Sequence, residues 1–243
     1  LGDYASAAEF YDLLYASTKD YAAEARLLES TIRALRPGAR SVLDVGCGTG
    51  AHARALLDAG FRVDGVDIEP AFVEIAAAKC PEGRFRVADM TALNLPGRYD
   101  AVTCLFSAIG YARTPETLRR AVGCMVAHLE EGGVLVVDPW FEPGQLTHGW
   151  ITTVLGEGDG VSVCRMSRTL VDGTISRLEF EYLVGTAAGL ERRSETHELG
   201  LFTQAQMEAA FRAAGLTVDR KPEALGTRGL YVGKAVSSHR PAR

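Results

Sequence analysis

Long apolar runs are missing from this 243-residue sequence. No stretch reaches the roughly 18 to 20 residues that cross a bilayer, and the first residues show no basic-then-apolar leader. The chain is read as soluble and cytoplasmic, with no membrane partner, and its first residue, Leu1 rather than Met, is expected of a chain trimmed at that end. No block of Lys or Arg is long enough to follow a phosphate backbone, and 26 basic against 31 acidic residues leave a net charge of −5, which argues against nucleic acid as a partner. Cysteine is sparse. The five residues Cys47, Cys80, Cys104, Cys124 and Cys164 are odd in number, scattered, and form no C-x-x-C pair. Free thiols in a reducing compartment are expected, rather than a disulfide frame or a zinc site. His52, His128, His148 and His239 stand in no Ser/His/Asp or metal-ligand spacing, so no metal is expected.

What is present is enough apolar material, 47% of residues, to build a full core. One domain with an insertion is the simplest organisation; two half-sized domains stay open. Helical spacing recurs over residues 5 to 15 and 20 to 35, with Asp20 placed to cap the second helix. From Ser41 short β-branched runs alternate with helical segments: "SVLDVG", a helix over 49 to 59, "RVDGVD", a helix over 71 to 79, "RFRVAD", "YDAVTCL", a helix over 114 to 129, then "GVLVVDPW". That alternation implies a parallel sheet covered on both faces. Between Trp150 and Leu201 no helical period is found. Strand-like pieces there, with turn signals at Gly158-Asp159-Gly160 and Asp172-Gly173, predict an antiparallel meander. It is placed over the sheet or at a dimer surface. A helix over 204 to 214, capped by Thr203 and stopped by Gly215, leads into the last two strands, and the tail 237 to 243 is expected to be disordered.

Gly46, Gly48 and Gly50 follow the first strand and open a helix, where backbone N–H groups face outward and no Cβ blocks a ligand. The spacing G-x-G-x-G, with Asp44 before it, departs from the G-x-G-x-x-G of dinucleotide sites and carries no P-loop G-K-[ST]. Asp67 ends the second strand, where a carboxylate meets ribose hydroxyls, with Ile68 beside it. Asp89 ends the third in "VADM", placed for an adenine amino group with Met90 against the ring. A row of acids without a phosphate clamp suits a nucleoside bearing a sulfonium and an α-amino group, as S-adenosylmethionine does. The plainer alternative is a glycine turn of some other α/β fold, with Asp44 and Asp67 acting as caps.

The segments "LDVGCGTG", "VDGVDIEP", "VADM" and "LEEGGVLVVDP" resemble the signatures of the class I S-adenosylmethionine-dependent methyltransferases. More narrowly, "AEFYDLLYASTKDYAAEA", "CLFSAIGYARTPETL", "VVDPWFEPG", "ELGLFTQAQMEAAFRAAGL" and "GTRGLYVG" resemble the bacterial enzymes that N,N-dimethylate the 3-amino group of TDP-linked deoxysugars of the desosamine and mycaminose type. The resemblance implies an α/β fold: a doubly wound, mostly parallel, seven-stranded Rossmann-like sheet with N-terminal helices and an antiparallel insertion after strand five. Residues 1–36 would form a lid, 37–148 and 201–236 the cofactor-binding core, and 149–200 the insertion.

It also implies an S-adenosylmethionine cofactor, a TDP-amino sugar acceptor and natural-product biosynthesis. Tyr4, Tyr11 and Tyr111 would surround the transferred methyl with Ser107 beside them, Phe106 would face the methionyl part of the cofactor, and Tyr21 would close over it. Tyr11 serves equally as core packing. Trp140 either stacks on a thymine or plugs the base of the insertion. Arg228 is placed on a diphosphate, against a salt bridge to a nearby acid; Arg168 and Arg177 are lesser choices. Other acceptors remain open (an amino nucleoside, an amino acid, a hydroxyl), as does a non-catalytic binding module, while a nicotinamide oxidoreductase is disfavoured by the glycine spacing. A homodimer is possible.

Overall fold

The computed structural model describes residues 8–16, 18–222, 224–225 and 228–235. After a single 3₁₀ turn at Ala8–Phe10 come two helices, α1 (Tyr11–Tyr15) and α2 (Tyr21–Leu35). Of the helix expected over 5 to 15, the described part is this 3₁₀ turn and α1; residues 5 to 7 lie outside the described residues, as do Tyr4 and the tail 237 to 243. Asp20 does cap α2, its carboxylate accepting from the Ala23 N–H at 2.8 Å.

Five strands and three helices then alternate: β1 (Ser41–Val45), α3 (Ala51–Asp58), β2 (Arg62–Asp67), α4 (Pro70–Lys79), β3 (Phe85–Val87), β4 (Tyr99–Cys104), α5 (Pro115–Ala127) and β5 (Leu129–Val137). β5 starts at Leu129, four residues ahead of the expected "GVLVVDPW", because the chain turns directly out of α5 and Leu129 already pairs with Tyr99 before a register shift. The antiparallel meander follows as β6 (Trp150–Gly158), β7 (Val161–Asp172), β8 (Ile175–Thr186) and β9 (Gly189–Gly200), and α6 (Gln204–Ala213), β10 (Leu216–Lys221) and β11 (Leu230–Ala235) complete the chain. Thr203 and Gln206 close a reciprocal capping box at the start of α6.

The strands form a seven-stranded sheet in the order β10-β11-β5-β4-β1-β2-β3 and a separate four-stranded sheet in the order β6-β7-β8-β9. Neighbours from β5 to β3 are parallel, whereas β11 runs antiparallel to β5 and β10. Side chains alternate between the two faces of the large sheet, as strand geometry requires. Val42, Val134 and Val136 pack with Leu28, Ile32 and Leu56 of α2 and α3, while Leu43, Leu135 and Val137 pack with Leu118, Val122 and Phe211 of α5 and α6. Strand order reverses between β1 and β4. Parallel sheets open a crevice at that point, beyond the carboxyl ends of the strands, and it positions the site.

The small sheet has a core of its own with the N-terminal helix: Phe10 and Leu14 pack against Val163, Tyr182 and Val184. The approach is close. A Cβ at Gly156 on β6 would stand 2.8 Å from the Leu13 carbonyl oxygen. No helix among the described residues is long and apolar enough to cross a membrane.

Candidate functional site

Past β1 the chain makes a turn that only glycine enters without strain: Gly46, Gly48 and Gly50 have φ of +72°, +53° and +77°. The turn is held from beneath, since the N–H groups of Gly46 and Cys47 both donate to the Val66 carbonyl, at 2.8 and 3.0 Å. Gly48 N–H donates to Asp67 Oδ2 at 2.8 Å, and Glu69 N–H donates to Asp67 Oδ1 at 3.0 Å. Asp67 thus ties the first strand end to the second. Burial raises its pKa, against those two backbone hydrogen bonds, which favour the charged form. Asp89, past β3, is exposed and accepts from the N–H and the hydroxyl of Thr91 at 2.7 and 2.8 Å.

These groups border a cavity of about 390 Å³ lined by Gly46, Gly48, Asp67, Ile68, Asp89 and Met90, among others. Asp44 and Gly50 do not line it. Asp44 is only 1% exposed, points into the sheet and accepts from the Thr103 hydroxyl at 2.8 Å, and burial raises its pKa. Gly50 is the N-cap of α3.

A second cavity, of about 320 Å³, lies between the crevice and the small sheet. Its floor is the inward face of the meander, where register brings Thr152, Ser167, Phe180 and Glu195 into one row and Val154, Arg165 and Tyr182 into the next. Trp140, Phe141 and Arg228 close another side. Trp140 Nε1–H donates to Ser176 Oγ at 2.8 Å, so the indole fastens the small sheet to the end of β5 while still lining the cavity. The Arg228 guanidinium lies 5.7 and 5.5 Å from the ring centres of Trp140 and Phe141, donates to the Pro139 carbonyl at 2.9 Å, and stands 3.4 Å from Asp138 Oδ2. It therefore has an acidic partner as well as a face on the cavity.

Tyr11, Phe72, Phe106 and Tyr111 line both cavities, so this ring of aromatics is where the two meet. Phe106 and Ser107 leave β4 with φ of +50° and +64°, a left-handed step that turns the chain back across the crevice. Ser107 is buried and its hydroxyl donates to the Pro139 carbonyl at 2.9 Å. Tyr111 follows in a short 3₁₀ segment, Ala108–Ala112, and burial pushes its phenol far above the ordinary value. Tyr11 is raised for the same reason and packs edge-on against Phe72 and Phe106.

The N-terminal segment is pinned over the glycine turn. Asp12 accepts from the Thr49 hydroxyl at 2.6 Å and pairs with Lys79 at 2.5 Å, and Glu24 meets His52 at 2.7 Å. Lys19 lies 4.6 Å over the Phe106 ring. Tyr21 stacks edge-on upon His52 and lines neither cavity.

Arg168 and Arg177 are on the outward face of the small sheet, each paired with Glu179, away from the second cavity. The cation of the small sheet that lines the second cavity is Arg165, which donates to Tyr15 Oη at 2.7 Å and lies over the Tyr15 and Phe180 rings. Sequence reading passed over it, together with Glu195 and His197. The signal was available: in "ERRSETHELG" the residues Glu195, His197 and Leu199 alternate with polar neighbours and share one strand face. All three are buried.

A methyltransferase-domain family model matches residues 42–133. The dTDP-3-amino-3,6-dideoxy-alpha-D-glucopyranose N,N-dimethyltransferase of Streptomyces fradiae is 39% identical over 228 residues, covering 93% of this chain and 89% of that protein. The crystal structure of Streptomyces venezuelae DesVI superposes with a TM-score of 0.89 at 37% identity, over 94% of this chain and 98% of that one. The S-adenosylmethionine-bound structure of CalS10, an amino pentose methyltransferase from Micromonospora echinaspora involved in calicheamicin biosynthesis, gives 0.84 at 38% identity, over 93% of this chain and 96% of that one. Likeness at this level over 93% or more of this chain shows the family: the chain belongs to the S-adenosylmethionine-dependent methyltransferases, within the family of the dTDP-aminodeoxysugar N,N-dimethyltransferases.

Proposed function

We propose that this enzyme N,N-dimethylates the amino group of a TDP-linked amino deoxysugar in natural-product biosynthesis, with S-adenosylmethionine in the first cavity and the sugar nucleotide in the second. One observation carries the reading: two cavities of ligand size, one edged by carboxylates and a glycine turn, the other by aromatics and two arginines, meet at a single ring of side chains. The donor set of the first cavity fits the cofactor. Asp67, already fixed by two backbone N–H groups, keeps lone pairs for two ribose hydroxyls, and Asp89 with Met90 borders the place for an adenine. In the second, Arg228 offers its cavity face to a diphosphate and Trp140 an aromatic wall to a thymine.

When bound, the cofactor supplies an electrophilic methyl on a cationic sulfur. The chain's own work is to exclude water and to aim. Tyr11, Phe72, Phe106 and Tyr111 enclose the junction, and holding an acceptor nitrogen about 3 to 3.5 Å from the methyl is worth on the order of 7–11 kcal/mol in intramolecular models. Tyr111 stays a neutral phenol at working pH because burial holds its pKa high. Its role is a hydrogen bond that orients the amine. Tyr111→Phe is therefore expected to retain turnover within about tenfold of the parent; loss of turnover at every pH, with binding intact, would show that the phenol itself moves the proton. Arg228→Gln is expected to raise KM for the sugar nucleotide about tenfold or more while kcat changes less, since a charged hydrogen bond contributes roughly 1.5–3 kcal/mol. An uncharged acceptor would show no such dependence.

Mass spectrometry after incubation with S-adenosylmethionine and a panel of TDP-amino sugars tests the assignment; the expected gain is two methyl masses on at least one. In this reading residues 149–200 cover the acceptor and the enzyme is cytoplasmic. It is also a homodimer, since the outward face of the small sheet exposes Ile151, Leu155, Met166 and Leu183. Light scattering at the mass of a monomer would refute the dimer.

A further inference from the structure

We propose that Glu195 is the carboxylate that receives the acceptor's amino group and takes its proton in each round of methylation. The inference rests on the amino-sugar reading and assigns that site a group which neither the glycine turn nor the tyrosines supply.

Among the described residues lining the second cavity Glu195 is the single carboxylate, set against the cations Arg165 and Arg228. It is 5% exposed, on the inward face of β9 in register with Phe180. Tyr182 Oη donates to its Oε2 at 2.9 Å, and His197 Nε2 lies 3.2 Å from the same oxygen. Among the described residues, titratable groups reach it from several elements: Tyr111 from the turn after β4, Tyr182 from β8 with Arg165 beyond it on β7, and His197 along β9. Glu195 lines the second cavity together with Tyr111, which also lines the first and packs edge-on at 6.1 Å from His197, so the carboxylate lies on the acceptor side of the junction where the nitrogen meets the methyl. His197, wholly buried between the Tyr111 and Phe180 rings, holds the carboxylate from behind.

The reaction gives this carboxylate work. The nitrogen lone pair forms the new N–C bond, the electron pair of the breaking C–S bond stays on sulfur, and positive charge passes from sulfur to nitrogen. A fixed carboxylate beside that nitrogen stabilises charge where it develops. One N–H bond of the new ammonium then breaks toward Glu195, forming an O–H bond and leaving a neutral secondary amine with a lone pair for the second transfer; Glu195 releases that proton to solvent when the spent donor is exchanged, and is a carboxylate again for the second round. While the cavity is closed, walled by aromatic rings, water is a poor proton acceptor. A positioned carboxylate supplies the path.

Glu195→Gln tests this with dTDP-3-amino-3,6-dideoxyglucose as acceptor. The expected result is a fall of about a hundredfold in kcat, accumulation of the monomethyl product, and partial recovery as pH rises and the free amine becomes abundant, with S-adenosylmethionine affinity unchanged by calorimetry. Dimethyl product formed at the parental rate and with the parental pH profile would overturn the proposal. Should Glu195→Gln fail to fold, the parent protein decides: the amino sugar nucleotide is expected to bind at least tenfold more tightly than its hydroxyl counterpart near neutral pH, and equal affinities overturn the assignment. A parent protein that methylates no amino sugar refutes the function itself, an outcome separate from parental turnover in the variant.

Discussion

Replacing Asp67 with alanine is expected to weaken S-adenosylmethionine binding between about a hundred- and ten-thousandfold, with thermal stability changed much less. Asp67 closes β2, pairs in register with Val87 of β3, and accepts one backbone N–H on each oxygen, from Gly48 and Glu69. A carboxylate has about four acceptor positions, so two remain for the vicinal hydroxyls of a ribose. Hydrogen bonds to a charged group contribute roughly 1.5–3 kcal/mol each, which sets the range. Alanine also frees the Gly48 N–H and loosens the turn. Asp67→Asn keeps the shape but presents one donor where an acceptor is needed, and is expected to fall between. Isothermal titration calorimetry reads both; an alanine variant within threefold of the parent would remove Asp67 from the cofactor site.

The second large effect separates folding from binding within one turn. A Cβ at Gly46 would stand 2.6 Å from Ala108 Cβ, at a φ of +72°. Gly46→Ala combines left-handed backbone strain of about 1–2 kcal/mol with overpacking of roughly 1–3 kcal/mol. It also pushes the turn after β4, and with it Phe106 and Ser107, away from the crevice. A marked fall in Tm and loss of detectable cofactor binding are expected together. Two residues on, nothing lies within 4 Å of a Cβ at Gly48, although its φ is +53°. Gly48→Ala is therefore expected to cost only the backbone strain in stability while still impairing binding, because its Cβ enters the space left for the ligand. Equal effects of the two substitutions on Tm would contradict this account of the turn.

Much of this was legible in the sequence because it is local. The caps Asp20 and Thr203 announce their helices, and the interval from Asp44 to Asp67 is that of one βαβ unit, so both acids could be placed at strand ends. Side-chain direction was not legible. Asp44 ends its strand as expected but faces Thr103 inside the sheet, because it shares a face with Val42 and not with Leu43 and Val45. The meander was found from its turns, yet which arginines look inward depends on its docking against Phe10 and Leu14, far away in sequence. Arg168 and Arg177 were accordingly weighed and Arg165 passed over. Glu195 needed both the alternation along β9, which is readable, and the meeting with Tyr111, which only the packing of the small sheet against the crevice creates.

A crystal structure of the enzyme with S-adenosylhomocysteine and a TDP-amino sugar bound together tests the central claim most directly. The account predicts the ribose on Asp67, the sugar nitrogen facing the sulfur inside the ring of Tyr11, Phe72, Phe106 and Tyr111, and the nucleotide under the inward face of the small sheet. Density for the nucleoside anywhere but the cavity edged by Gly46, Gly48, Asp67 and Asp89, or a sugar nitrogen lodged outside that ring, would contradict it.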